Sequence, residues 1–216
     1  MLRIGVLASG RGSNFQSLID AIERGAFRAE IALLITDNPS AFAIERAGKH
    51  GVEYRVMRPE EYASRDEYYR QIADTLKTAD VGLVVLAGFM RIVGKPLIEA
   101  FPDRVMNIHP ALLPSFPGLH GQKQALEYGA KVSGCTVHFV DEGVDTGPII
   151  IQAAVPVLQG DTEDSLSARI LEMEHKIYPE AVRLFSEGRI EVRGRQVRVK
   201  KYAAPHVSFT NPPLGS

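Results

Sequence analysis

The sequence has a single cysteine, no excess of charge of either sign and no apolar run long enough to cross a membrane. Each shortage removes a class of protein. One cysteine, Cys135, excludes an intramolecular disulfide framework and a cysteine-rich metal cluster, and fits a reducing cytoplasm. It lies in the apolar run Gly134–Val140, where packing as a small hydrophobe is favoured over service as a nucleophile. The formal net charge of -1 points to neither a nucleic acid nor an anionic membrane as partner, so any phosphate site must be local. The apolar opening Met1–Ala8 is too short for a signal peptide or a membrane span and reads as the first core strand of a soluble, cytoplasmic protein. No His/Asp/Glu spacing suggests a metal, no Gly-x-Ser-x-Gly elbow suggests a serine hydrolase, and no repeat or linker divides the 216 residues.

What is present alternates between β-rich and helical stretches. Leu2–Ala8, Ile31–Thr36, Val52–Met57 and Val81–Ala87 read as strands, with helical patterns over Ser13–Arg24, Ala41–Lys49 and Asp66–Lys77 between them. Tyr69, Ile72, Ala73 and Leu76 form one stripe of the last helix. The unbroken apolar run Val81–Ala87 is the mark of a strand covered on both faces. The pattern predicts an α/β fold with a doubly wound, mostly parallel sheet and a Rossmann-like N-terminal half. The second half differs. After a strand at Arg104–Ile108, the loop Pro110–Leu119 holds three prolines, too many for a helix interior. Lys131–Val140 and Ile149–Val157 read as longer, more antiparallel strands, Glu163–Glu187 as a long helix and Ile190–Lys200 as a hairpin. The proline-rich end is expected to be a mobile tail over 203–216, leaving one domain over 1–202.

Two segments carry chemistry. The first strand runs into Ser9-Gly-Arg-Gly-Ser-Asn14 and then a helix. Glycines let a backbone approach a ligand closely, and amides at a helix start favour an anion. This reads as a phosphate cradle, or more simply as a βα turn with Ser13 or Asn14 as helix cap. A dinucleotide fingerprint is only partial, because Phe15 stands where its third glycine belongs, although Asp37 follows the second strand. No Gly-Lys-Ser/Thr ending supports an ATPase loop.

The second segment is Asn107-Ile-His109-Pro110. Residues two apart on a strand project to one side, so Asn107 and His109 lie side by side and suit a developing oxyanion. Protonation of His109 near neutral pH needs a neighbouring carboxylate. Asp145, in the loop Asp141–Pro148, is the best candidate. A solvated acidic turn is the stronger reading of that loop on sequence alone, and spacing does not bring Asp145 to His109. His138 faces either site or core, His120 lines the proline loop, and His50, His175 and His206 read as surface residues.

Several of these pieces together resemble the glycinamide ribonucleotide formyltransferases, the folate-dependent formyltransferases of purine synthesis. They are Ser9–Asn14, Leu86-Ala-Gly-Phe-Met-Arg-Ile92, Asn107-Ile-His-Pro-Ala-Leu-Leu-Pro114, Phe116-Pro-Gly-Leu-His120, Val137-His-Phe-Val140 with Asp145-Thr-Gly-Pro148, and Glu174-His-Lys-Ile-Tyr-Pro179. The resemblance runs from about Arg3 to Val199. It implies 10-formyltetrahydrofolate as co-substrate, glycinamide ribonucleotide as acceptor, no metal, and a monomer or homodimer. Gly12, Ser13, Asn14 and Glu174 would hold the acceptor. Arg65, Met90, Arg91, Ile92, Val93, Asn107, His138, Val140 and Asp141 would hold the folate, and Asn107, His109 and Asp145 would be catalytic. Methionyl-tRNA formyltransferases add a domain and formyltetrahydrofolate hydrolases a leading regulatory one, neither of which the chain's length and start suggest. An NAD-dependent oxidoreductase and a nucleotide-sensing module are the more distant alternatives.

Overall fold

The computed structural model describes residues 1–201 and 209–211. Four parallel strand pairings build its first half: β1 (Leu2–Leu7) with β2 (Ala29–Thr36), β2 with β3 (Tyr54–Val56), β1 with β4 (Leu83–Leu86), and β4 with β5 (Val105–His109). β6 (Val132–Phe139) and β7 (Ile149–Pro156) then add antiparallel, giving a seven-stranded sheet in the order β3-β2-β1-β4-β5-β6-β7. The order reverses direction at β1 and β4, the switch point where such sheets open a crevice at the carboxyl ends of their strands.

Strand alternation divides the core into two layers. Ile4, Val6, Leu83, Val85, Met106 and Ile108 face one side, where α1 (Ser13–Glu23), α2 (Phe42–Lys49) and α6 (Glu163–Ser186) pack. Leu7, Val84, Leu86 and Val105 face the other, under α3 (Arg65–Thr78) and α4 (Lys95–Ala100). The expected α/β class, mostly parallel sheet and antiparallel second half are all present. The stripe of α3 is buried as expected, together with Tyr68. α6 opens with a capping box between Thr162 and Ser165 and continues through Pro179. β8 (Ile190–Arg193) and β9 (Gln196–Val199) form the expected hairpin.

Two helices have no counterpart in the sequence reading. α4 spans six residues and buries only Leu97. α5 (Gly121–Tyr128) buries only Gly121 and Ala125. Neither carries an apolar stripe wide enough to register as periodicity. The tail expected over 203–216 falls outside the described residues except at 209–211, where Asn211 donates to the carbonyls of Lys131 at 2.6 Å and Val157 at 2.9 Å. No helix among the described residues is long and apolar enough to cross a membrane.

Candidate active site

Asn107 and His109 project from the end of β5 to the same side as Val105, into a cavity of about 600 Å³. β6 pairs antiparallel with β5 so that His138 lies opposite Asn107. Asn107 Nδ2 lies 3.3 Å from His138 Nε2. The loop between β6 and β7 returns Asp145 to both imidazoles. Its Oδ2 is 3.3 Å from His109 Nδ1 and its Oδ1 is 3.6 Å from His138 Nε2. Asp145 adopts φ 54, a left-handed conformation that costs energy for a non-glycine residue and is concentrated at functional sites. Gly147 makes the return possible, because a Cβ there would sit 1.8 Å from the Phe139 carbonyl oxygen.

The acidic turn is therefore part of the site. Burial alone would raise the Asp145 carboxyl. The His138 ring, the Gly118 amide at 2.8 Å and the His109 imidazole bring it below the ordinary aspartate value. One expectation needs correction. Asp145 does favour the charged form of His109, but burial opposes it more strongly, and the imidazole's pKa lies below its ordinary value. His109 is 4% exposed, so desolvation dominates, and the resting ring is more readily neutral than the sequence reading assumed. Its Nε2 lies 2.8 Å from the Phe116 carbonyl. Both ring nitrogens thus face oxygen acceptors, and only imidazolium offers both a proton.

The proline loop is held from beneath. Thr136 Oγ1 donates to the Ala111 carbonyl at 2.7 Å and accepts from the Leu113 amide at 3.1 Å, while Gln152 Nε2 donates to the Leu113 carbonyl at 2.9 Å. The Leu113–Pro114 peptide is cis. The other wall is the segment 88–93. Met90, Arg91, Ile92, Val93, Val140 and Asp141 line the cavity, as does His138. Arg65 does not line it. From behind, Arg65 Nη2 donates to the carbonyls of Ile92 at 2.9 Å and Val93 at 3.3 Å, and Tyr69 Oη reaches the same Ile92 oxygen at 2.8 Å. Arg91 pairs with Asp37 at 2.6 Å, so the acid of the partial dinucleotide fingerprint is engaged by a guanidinium.

Gly12, Ser13 and Asn14 lie at the start of α1. Gly12 is the N-cap at φ 64, and neither Ser13 nor Asn14 caps the helix. No backbone carbonyl among the described residues accepts from the amides of Gly10 through Phe15. These six consecutive amides at a helix start, without a backbone acceptor among the described residues, are left available to an anion. Asn14 Nδ2 donates to Glu174 on α6 at 2.7 Å, and the buried Asn14 Oδ1 has no partner among the described residues. Burial raises the Glu174 carboxyl, with Asn14 opposing. One turn further along α6, Tyr178 Oη lies 2.9 Å from the Leu86 carbonyl and 2.8 Å from the Met106 carbonyl, which share its one proton.

The remaining assignments sort as follows. Cys135 is fully buried, and burial pushes its thiol up to about 12, so it packs rather than reacts. His120 borders the cavity near Glu163. His50 and His175 are half-buried rather than on the surface. His50 is held between Gln16 Nε2 at 3.0 Å and Glu23 Oε1 at 2.6 Å, and His175 borders a second, smaller cavity beside α1. His206 lies outside the described residues. Sequence reasoning did not single out Tyr178, Thr136, Gln152 or Tyr69 as supports. Each acts across elements, and only the sheet register and helix docking bring them to the site. Among the described residues no group of His, Cys, Asp or Glu is placed to hold a metal.

An Asn–His–Asp cluster at the carboxyl end of a mostly parallel sheet is an arrangement suited to transfer at a carbonyl carbon. The chain belongs to the formyl transferase family, whose profile matches residues 2–182. It is 38% identical over 210 residues to the phosphoribosylglycinamide formyltransferase of Escherichia coli (strain K12), covering 94% of this chain and 99% of that protein. It is 50% identical to the trifunctional purine biosynthetic protein adenosine-3 of Drosophila pseudoobscura pseudoobscura, covering 93% of this chain but only 15% of that much longer protein. The crystal structure of glycinamide ribonucleotide transformylase 1 from Symbiobacterium toebii superimposes with a TM-score of 0.91 at 54% identity, covering 92% of this chain and 94% of that one.

Proposed function

We propose that this chain transfers the formyl group of 10-formyltetrahydrofolate to the amine of glycinamide ribonucleotide, in purine biosynthesis. The observation that carries the reading is the contact of Asp145 with His109 beside Asn107, in a cavity whose Gly88–Met90 edge is hydrogen-bonded to Ser9, the residue that precedes the Gly10–Phe15 amides. The apolar side chains of Met90, Ile92, Val93 and Val140 suit a flat heterocycle, and Asp141 and His138 offer polar groups for its edge. The loop amides suit the acceptor's phosphate, and Glu174 its sugar.

Folate supplies the activated formyl group. The acceptor amine attacks the formyl carbon, the bond from that carbon to the folate nitrogen breaks, and one proton passes from the amine to that nitrogen. Asn107 Nδ2 donates to the oxygen as negative charge develops on it, and His109 donates a second, charge-assisted hydrogen bond from Nε2, which then exchanges the Phe116 carbonyl for the substrate oxygen. Asp145 stabilises the imidazolium that this step requires. His109 or an ordered water carries the proton.

The direct test is a spectroscopic assay of folate product with and without glycinamide ribonucleotide. Product that forms only with the amine present is the expected result. Product without it would make the chain a formyltetrahydrofolate hydrolase, and no product in either case would overturn the reading.

A further inference from the structure

A phosphate cradle works only if its own carbonyls are kept out of it. The Ser9 carbonyl is held outside by Asn38 Nδ2 at 3.1 Å, and the next three carbonyls, Gly10 to Gly12, each have a donor. The Gly10 oxygen accepts from the Ala43 amide in α2 at 3.1 Å, and the Gly12 oxygen accepts from the Gln16 amide in α1 at 2.9 Å. The middle one, on Arg11, accepts from Arg46 Nε at 2.9 Å. It is the only one of the three tied by a side chain.

We propose that Arg46 is the positioning residue of the phosphate loop, holding the Arg11–Gly12 peptide so that its carbonyl turns away from the anion and the loop amides turn toward it. The inference rests on the phosphate reading of that loop. Three contacts fix the guanidinium plane. Nε holds Arg11, Nη1 donates to Gln16 Oε1 at 2.9 Å, and the group lies 5.0 Å from the centre of the Phe42 ring. Gly12 packs directly on α2, where an added Cβ would meet the Ala43 Cβ at 2.9 Å, and its glycine backbone otherwise leaves the preceding peptide free to flip. Arg46 also borders the cavity of about 260 Å³ beside Ser13, so its charge lies close to the anion it helps to seat.

Arg46→Ala removes both the brace and the charge, whereas Arg46→Lys keeps the charge and loses the planar fork. Binding of inorganic phosphate by calorimetry, together with steady-state kinetics of formyl transfer, separates the cases. The expected result is that wild type binds phosphate, that both variants bind it on the order of tenfold more weakly or worse, and that both raise KM for the phosphorylated amine by a similar factor. KM for the folate should stay near wild type, and kcat should fall far less than KM rises. Equal phosphate binding in wild type and Arg46→Ala would overturn the proposal and leave the phosphate reading intact. Wild-type behaviour of Arg46→Lys would show that charge alone matters and overturn the bracing role. A matching rise in folate KM would show a general structural defect instead. Failure of the wild type itself to bind phosphate would remove the underlying reading of the loop.

Discussion

Asp145→Asn changes the charge of the site while sparing its shape. The amide is isosteric, its oxygen can still accept from the Gly118 amide, and asparagine tolerates the left-handed backbone at φ 54 at least as well as aspartate. What is lost is a negative charge with Oδ2 3.3 Å from His109 Nδ1, at a position where the imidazole is 4% exposed. With the imidazolium charge spread over the ring, a separation of roughly 5 Å and an effective dielectric of about 20 give about 3 kcal/mol of lost stabilisation. If imidazolium forms on the way to the transition state, that corresponds to a fall in kcat of about a hundredfold. The direction of the titration follows as well. Burial already lowers the His109 pKa and Asp145 opposes it, so removing the carboxylate moves the midpoint further toward acid. The assay is steady-state formyl transfer combined with an NMR pH titration of the His109 ring, with chemical denaturation as a check that the fold is kept. A His109 midpoint that stays put or rises would refute the electrostatic reasoning. A lowered midpoint with wild-type turnover would refute the role of the charged ring in catalysis.

Two further outcomes follow from buried groups. Glu174→Gln should stabilise the protein in alkali and raise KM for the acceptor. Burial holds the native carboxyl above its ordinary value, so the native state binds that proton more tightly than the unfolded chain and loses stability as pH rises from about 4.5 through the folded midpoint. The variant's advantage should be smallest at about pH 4 and grow toward alkaline pH, read by thermal unfolding at both ends; a constant difference across that range would contradict it. Gly147→Ala should destabilise by about 3 kcal/mol or more, because its Cβ would lie 1.8 Å from the Phe139 carbonyl oxygen. It should also displace Asp145, and a native-like melting curve would show that the β6–β7 turn has room that the geometry denies it.

The strands and long helices were legible because their signals are local. The doubly apolar run of β4, the stripe of α3 and the acidic start of α6 each follow from burial on one face or two. Asn107 and His109 were legible as a pair for the same reason, since strand alternation alone puts them together. Asp145 was not, because its approach depends on antiparallel pairing of β6 with β5 and on a glycine that allows the chain to pass the Phe139 carbonyl. His138 was undecided until register set it opposite Asn107. The protonation of His109 was misjudged in degree because desolvation depends on everything packed around the ring, and a sequence names only the neighbours in the chain. Arg65 was assigned to the folate pocket by resemblance, and the structure puts it behind the 88–93 segment, where two carbonyls take its guanidinium.

Glu174 and Tyr178 stand four residues apart on α6, a rise of about 6 Å along the helix axis. One side chain meets Asn14 at the start of α1 and the other seizes the ends of β4 and β5 where the larger cavity opens. A single rigid rod thereby gauges the span between the proposed places of acceptor and donor. Inserting or deleting one residue between the two would turn one of them by about 100° around the rod and put the gauge out of true. Surface loops can lengthen without disturbing that span, whereas this one turn of helix cannot.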